Sequence, residues 1–475
     1  MQAMSNARWI GVAQIFRIGM QLVGLVVLAR FLPPAEYGLM AMATVAINFA
    51  SLLRDMGTAA AIVQKEDLNE DTTNTVFWLN IGLGLVLALI LVIFSPVIAD
   101  WFRAPRLVLV LLLLAIVFPV TSSAAVHQAL LERESKFRIL ARIEVLSSLF
   151  ALFTALILAY YGAGVLSLVG QALVAASLSA IQLWLSSRWR PQAKWSSSEF
   201  KSLLKFSGHL TGFTFINFFA RNTDSLIIGR VLGSVALGVY SQAYKVMMFP
   251  LQSMTQVASR ALFPIMSRQQ NDINEMAKLY FRSLRTIAAL TAPLMAGLWM
   301  LREPFVRLAL GAQWDAVATI LAWLAAVGFI QSLTSTTGSV FMATGRTDLL
   351  LRLGIIGTIL QVTSFFIGVN WGIESVAICY LIANIVNLFP CFWLTLRQLN
   401  SSYRDLISIL WKPILFSAVM IGVLYPLKLI LVNQGVSSIW LLGGGTVIGT
   451  AIYGGLLLAF SRDIVNDYKK FFGAK

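Results

Sequence analysis

The sequence predicts an all-α polytopic membrane protein of about 14 transmembrane helices, arranged as two pseudo-symmetric six-helix lobes plus two C-terminal helices. Three observations predict it. Of 475 residues, 58% are hydrophobic and only 12% are charged, with a mean hydropathy of +0.79. That leaves too little polar surface for a soluble domain. The apolar residues gather into stretches of about 20, the length that crosses a bilayer as a helix. The Lys and Arg residues concentrate on alternate connections between those stretches.

In chain order, spans 1 to 14 are expected at 9–31, 37–53, 75–98, 107–130, 139–161, 164–186, 208–228, 239–264, 284–303, 315–341, 349–369, 373–396, 412–432 and 438–460. Span 1 contains Gln14, Arg17 and Gln21 and is too long for a signal-peptide core, so it reads as a retained helix. With the N-terminus placed in the cytoplasm and charges near span ends assigned to the nearer face, 25 of the 36 Lys and Arg face the cytoplasm, 7 face outward and four remain inside spans. This positive-inside bias fixes the orientation and puts both termini in the cytoplasm. It also accounts for the +15 net charge without any nucleic-acid partner. Cys379 and Cys391 lie twelve residues apart in one expected helix, about 18 Å, too far for a disulfide.

Three pairs of markers suggest that spans 1–6 recur as spans 7–12. Arg30-x-Leu32-x5-Gly38 returns as Arg230-x-Leu232-x5-Gly238, Lys136-x5-Arg142 as Arg346-x5-Arg352, and "GVLSLV" at Gly164 as "GIESVA" at Gly372. Six helices per half give both halves the same orientation, a parallel repeat that in transporters places the substrate path between the halves. The expected organisation is an N-lobe at 1–186, a cytoplasmic amphipathic linker at 187–207, a C-lobe at 208–396, and helices 13–14 with a tail at 397–475. In the linker, Ser196-x-x-Glu199 reads as a capping box with Trp195 and Phe200 as its hydrophobic staple. "GGGTVIG" at 443–449 sits within an apolar span with no strand before it, so close helix packing is expected there rather than a nucleotide loop.

Span 7 carries Asn217, Arg221 and Asp224 on one helical face. Span 1 has the same design in Gln14, Arg17 and Gln21. Span 8 carries Gln242, Lys245, Gln252, Gln256 and Arg260, with Pro250 as an expected kink. A charge at mid-bilayer costs roughly 2.5–3.5 kcal/mol on insertion scales, so such stripes belong on a bundle interior or a wet cavity. A competing reading has Arg221 neutralised by Asp224 and Arg260 snorkelling to the interface. The cations inside spans are Arg17, Arg221, Lys245 and Arg260, against Asp224 and, near the end of span 5, Glu144. The excess of positive charge points to an anionic ligand. A phosphate or pyrophosphate suits the forked donors of Arg, and Asn217, Gln21, Gln252 and Gln256 suit sugar hydroxyls. Asp224 and Glu144 are the candidates for ion coupling. His127 and His209 lack metal-ligand spacing, the acid-rich run at 64–75 lacks an EF-hand pattern, and no Walker loop or nucleophile elbow is present. Neither a metal nor a cofactor is expected.

"ARFLPPAEYGLMAMA" (29–43), "DMGTAAAIVQ" (55–64) and "RVLGSVALGVYSQAYKVMMFP" (230–250) resemble the Wzx-type polysaccharide flippases. The resemblance is to the colanic-acid-exporter-like branch of the multidrug/oligosaccharidyl-lipid/polysaccharide exporter superfamily, over about residues 5–460. It implies alternating access and translocation of undecaprenyl-pyrophosphate-linked oligosaccharide across the bacterial inner membrane, for exopolysaccharide, capsule or O-antigen export. It implies no enzymatic activity, a cationic lumen that Arg17, Arg221, Lys245 and Arg260 fit, and polysaccharide polymerase and export machinery as partners. Proton or sodium coupling is compatible with it. The rival readings are a lipid II flippase, whose ligand is also a polyprenyl pyrophosphate, and a drug/cation antiporter, which calls for an acidic lumen. A membrane-embedded polymerase or glycosyltransferase is the rival of another class; it calls for an extended loop bearing acids or a nucleophile.

Overall fold

The computed structural model describes the backbone of residues 2–54, 62, 68–270 and 272–461, and their side chains apart from 2–15, 52–54, 198–217, 219–221 and 252–261. Helices α1 (Gln2–Phe31), α2 (Pro34–Arg54), α3 (Glu70–Phe102), α4 (Leu107–Ala115), α5 (Val117–Arg133), α6 (Phe137–Tyr160) and α7 (Val165–Ser186) come first. A 72-residue helical stretch follows, α8 (Ser197–Arg268). Next come α9 (Ile273–Ala309), α10 (Asp315–Thr334), α11 (Thr337–Ala343) and α12 (Thr347–Gly368). Finally there are α13 (Ile373–Gln398), α14 (Tyr403–Asn433) and α15 (Ser438–Phe460). No strand occurs among the described residues. The expected spans fall within these helices to within a residue at their ends, and eleven stretches of the described residues are long and apolar enough to cross a membrane.

Local chemistry sets the helix ends. Asn69 caps α3, accepting from Thr72 N–H at 2.8 Å, and Glu70 and Asp71 in the first turn favour the positive end of the helix dipole. Asp272 caps α9 through Glu275 N–H at 3.0 Å, and Ser402 with Asp405 forms a capping box on α14. Three details differ from the sequence expectation. Span 4 is two helices parted at Ile116, and span 10 is parted at Ser335–Thr336. Spans 7 and 8 have no long loop between them: helical residues stand on both sides of a single corner, Gly233, at φ 82° and ψ −175°. Pro250 stays within helical backbone, so the interruption belongs to the glycine.

The repeat is visible in backbone conformation. Gly164 and Gly372 both hold positive φ (58° and 101°) as N-caps, of α7 and α13. Ser135 (φ 55°) and Gly345 (φ 69°) both stand one residue before the caps Lys136 and Arg346, which open α6 and α12.

The chain packs as two compact units, Met1–Gly238 and Val239–Lys475. In the first, α6 lies along α1 and α7, while α5 packs on α3 and α7. In the second, α9 packs on α10 and α13 packs on α10 and α12. Helices α14 and α15, outside the repeat, cover α9 through Met300, Leu301, Phe416, Met420 and Tyr453, and Tyr453 Oη donates to Ala289 O at 2.8 Å. Within "GGGTVIG", Gly445 abuts Leu301 and Gly449 abuts Leu424 and Met420, inside an unbroken α15. By contrast, Leu85, Leu89, Ile93 and Val97 of α3 form a stripe at i, i+4 spacing that stays more than half exposed, the surface a bilayer would cover.

The segment before α8 is fastened to the start of α3. Gln192 N–H donates to Asn74 Oδ1 (2.7 Å), Trp78 Nε1–H to Gln192 O (2.8 Å), and Ser196 N–H to Thr75 Oγ1 (3.0 Å). α8 begins immediately after Ser196, at the expected cap position; the side chains of Glu199 and Phe200 lie outside the described residues.

Candidate functional site

The polar face of α1 meets an acid on the neighbouring α6. Arg17 Nη1 stands 3.4 Å from Glu144 Oε1, with 44% and 41% of the two side chains exposed. Gln21, one turn beyond Arg17, is exposed. The packing that brings them together is close: Gly24 lies against Leu152 Cδ1, where an added Cβ would sit at 3.4 Å. Arg17 and Glu144, singled out separately in the sequence, therefore belong to one site. Span 1 contains no acid; the carboxylate beside Arg17 comes from a helix more than a hundred residues away.

Asp224 lies half-buried on the first arm of α8 and accepts Ser225 N–H at 2.6 Å. The side chains of Asn217, Arg221, Gln252, Gln256 and Arg260, and that of Gln14, lie outside the described residues, so their stripes stand as sequence expectations. In the second unit Lys245 is exposed, while Gln242, three residues earlier, is fully buried with neither amide atom hydrogen-bonded. Tyr240 and Tyr244 stack at 6.2 Å on this helix.

A second carboxylate, not singled out in the sequence, is held far more tightly. Glu36 accepts from Arg106 Nη1 and Nη2 at 2.8 and 3.0 Å and from Val165 N–H at 2.6 Å. It fastens the start of α2 to the residue before α4 and to the first turn of α7. An acid alone in the apolar run "FLPPAEYGLM" was the available signal. His127 is buried against Trp184 and Trp189, with ring centroids at 4.4 and 5.3 Å. These ring contacts make a packing environment. Among the described residues no group of three or more His, Cys, Asp or Glu converges to hold a metal ion.

Comparison with known proteins adds to this geometry. A family model described as "Polysaccharide biosynthesis protein" matches residues 27–319. The lipopolysaccharide biosynthesis protein WzxC of Escherichia coli (strain K12) is 28% identical over 438 residues, 91% of this chain and 89% of that one. The teichuronic acid biosynthesis protein TuaB of Bacillus subtilis (strain 168) is 28% identical over 88% of this chain and 87% of its own. The succinoglycan biosynthesis transport protein ExoT of Rhizobium meliloti (strain 1021) is 26% identical over 97% and 93%. Among solved structures, the lipid II flippase MurJ in an inward closed conformation superposes with a TM-score of 0.76 at 18% identity, covering 96% of this chain and 99% of that one. An inward-facing multidrug resistance MATE family transporter of the MOP superfamily gives 0.62 at 17% identity, over 80% and 94%. At these identities the two structures share the fold.

Proposed function

Because the chain belongs to the polysaccharide biosynthesis protein family, we propose that it is a flippase of the MOP superfamily, carrying undecaprenyl-pyrophosphate-linked oligosaccharide repeat units across the bacterial inner membrane. The observation that carries this reading is the charge inside the expected spans: Arg17, Arg221, Lys245 and Arg260 against Asp224 and Glu144. Cations within membrane spans mark an ion or substrate path, and their excess selects an anion. A lipid-linked glycan supplies one in its diphosphate, which Arg binds through paired N–H donors. Its sugars offer hydroxyls that Gln and Asn side chains can bond, and its polyprenyl tail stays in lipid. The names of the relatives WzxC, TuaB and ExoT, all biosynthesis or transport proteins for surface polysaccharides, support the same substrate class.

Transport of this kind needs two alternating conformations and no covalent chemistry on the substrate. Both termini and the 187–207 linker face the cytoplasm in this reading, since the Lys and Arg residues concentrate there. Asp224 and Glu144 are the groups able to couple transport to protons or sodium. In liposomes the purified protein should change the sidedness of an undecaprenyl-pyrophosphate glycan and leave its bonds intact. Recovery of a cleaved or elongated glycan from an otherwise enzyme-free preparation would overturn the proposal, and transport of lipid II alone would redirect it to peptidoglycan.

A further inference from the structure

We propose that Glu144 is a placeholder anion: it occupies Arg17 while the ligand is absent, yields it to a lipid diphosphate, and returns when the ligand leaves. This rests on the reading above that Arg17 meets the diphosphate of the substrate.

Among the described residues of the first unit, two Glu–Arg pairs are built to different standards. Glu36 is locked: two prongs from Arg106, a third bond from Val165 N–H, and a side chain only 10% exposed. Glu144 makes a single approach of 3.4 Å to Arg17, and both side chains stay more than 40% exposed. A pair that open is weakly held and easily exchanged. A phosphate offers Arg17 a stronger, two-pronged partner than this carboxylate provides. Gly24 and Leu152 hold α1 against α6 beyond the pair, so the helices stay in place while the Glu144 carboxylate moves.

Position suits the role. Arg17 lies about 21 Å from the Phe31 end of α1, and Glu144 about 10 Å from the Phe137 end of α6. In the proposed orientation both stand in the inner half of the membrane, where a substrate made in the cytoplasm first arrives. Once the diphosphate has displaced it, the carboxylate remains beside the bound anion and repels it. Glu144 thereby limits how tightly the ligand is held and hastens its departure.

The test is binding of undecaprenyl diphosphate to the purified full-length protein in nanodiscs, with affinity and release rate measured separately. Glu144→Gln should bind about 2- to 5-fold tighter than the wild type, release more slowly, and turn over more slowly in liposomes. Glu144→Asp keeps the charge and should restore wild-type release. Arg17→Gln should bind weakly, and Arg17→Gln with Glu144→Gln should match it, because Glu144 acts through Arg17. Unchanged or weaker binding by Glu144→Gln, or loss of its folding while Arg17→Gln folds, would overturn the placeholder role and leave the flippase reading standing. A wild-type protein that ignores undecaprenyl diphosphate would instead overturn the flippase reading itself.

Discussion

Gly38 and Gly238 stand at equivalent positions of the internal repeat, and each is pressed against the start of the other's helix. A Cβ on Gly38 would overlap the carbonyl oxygen of Ser234, and a Cβ on Gly238 would overlap that of Pro34 and lie 3.1 Å from Gly38 N. Pro34 and Ser234 are themselves separated by the same 200 residues as the two glycines. The contact is therefore reciprocal, each repeat offering a glycine to the other's backbone. This gives the recurring Arg-x-Leu-x5-Gly spacing a physical cause: only glycine permits two helix starts to approach so closely.

Alanine at either position should destabilise the protein. In an open helix Gly→Ala gains up to about 1 kcal/mol, but here the methyl meets backbone that cannot rotate away, and overpacking costs about 1–3 kcal/mol. Gly38→Ala and Gly238→Ala should each lower the thermal midpoint in detergent. Gly82→Ala, where nothing lies within 4 Å of the added methyl, should leave it unchanged or raise it. Equal midpoints for all three variants would show that the crossing is not close-packed.

The Glu36 clasp should respond asymmetrically. Removing Arg106, whose side chain is 62% exposed, strands a buried carboxylate with one N–H donor. Neutralising Glu36 leaves an arginine that water can solvate. Arg106→Gln should therefore cost about 1–3 kcal/mol, below the range for fully buried pairs because one partner is exposed. Glu36→Gln should cost less. Denaturant unfolding of both variants checks the order, and the reverse order would mean that Arg106 is the more strongly desolvated partner.

Sidedness is accessible to thiol labelling once Cys379 and Cys391 have been replaced by Ala. Cysteines at Ser197 and Lys475 should resist an impermeant reagent in intact cells, whereas Tyr161→Cys, in the exposed turn after α6, should react. Labelling of the first two with protection of the third would invert the proposed topology.

How much of this was legible in the sequence varied with the range of the interaction. The spans were readable because length and apolarity are local properties, and all but spans 4 and 10, which are parted, coincide with a single helical stretch. The corner at Gly233 lies between the expected spans 208–228 and 239–264, where "GRVLGSVALG" mixes turn-forming glycines with residues that continue a helix, so hydropathy alone does not place the corner. The break at Ile116 is announced by Pro119, which has no N–H to give Ala115 O and so interrupts the helix one turn before itself. The Ser335–Thr336 break also carries a signal, the run "SLTSTTG", whose hydroxyls bond back to the preceding turn, as Ser335 Oγ does to Ser332 O. Pairings across the chain were out of reach. Arg17 and Glu144 each stand out as a charge within an apolar span, but their meeting depends on α1 lying along α6, which no local pattern encodes. The clasp at Glu36 is hidden for the same reason, its partners Arg106 and Val165 being 70 and 129 residues away.

The final prediction concerns Arg221, the charge at the centre of the span 7 stripe. If that stripe binds an anionic head group, losing the charge should harm transport more than folding. Truncating one partner of a buried charge pair costs about 2–5 kcal/mol of binding, about 30-fold to several thousand-fold. Arg221→Gln should be nearly inactive yet present in the membrane, and Arg221→Lys, which keeps the charge but loses the fork, should be partly active. Arg17→Gln and Lys245→Gln should behave like Arg221→Gln. Arg103→Gln should be close to neutral: Arg103 is an exposed C-cap residue of α3 whose backbone N–H, not its side chain, bonds Asp100 O at 3.0 Å. The opposing hypothesis makes Arg221 a partner of Asp224 alone, so that Arg221→Gln combined with Asp224→Asn would regain function. Asp224 already has a backbone donor in Ser225 N–H, so it does not depend on Arg221 for every hydrogen bond. Complementation of surface polysaccharide export at matched protein levels separates the two. The double variant should stay as inactive as Arg221→Gln, and full rescue by it would remove Arg221 from the substrate path.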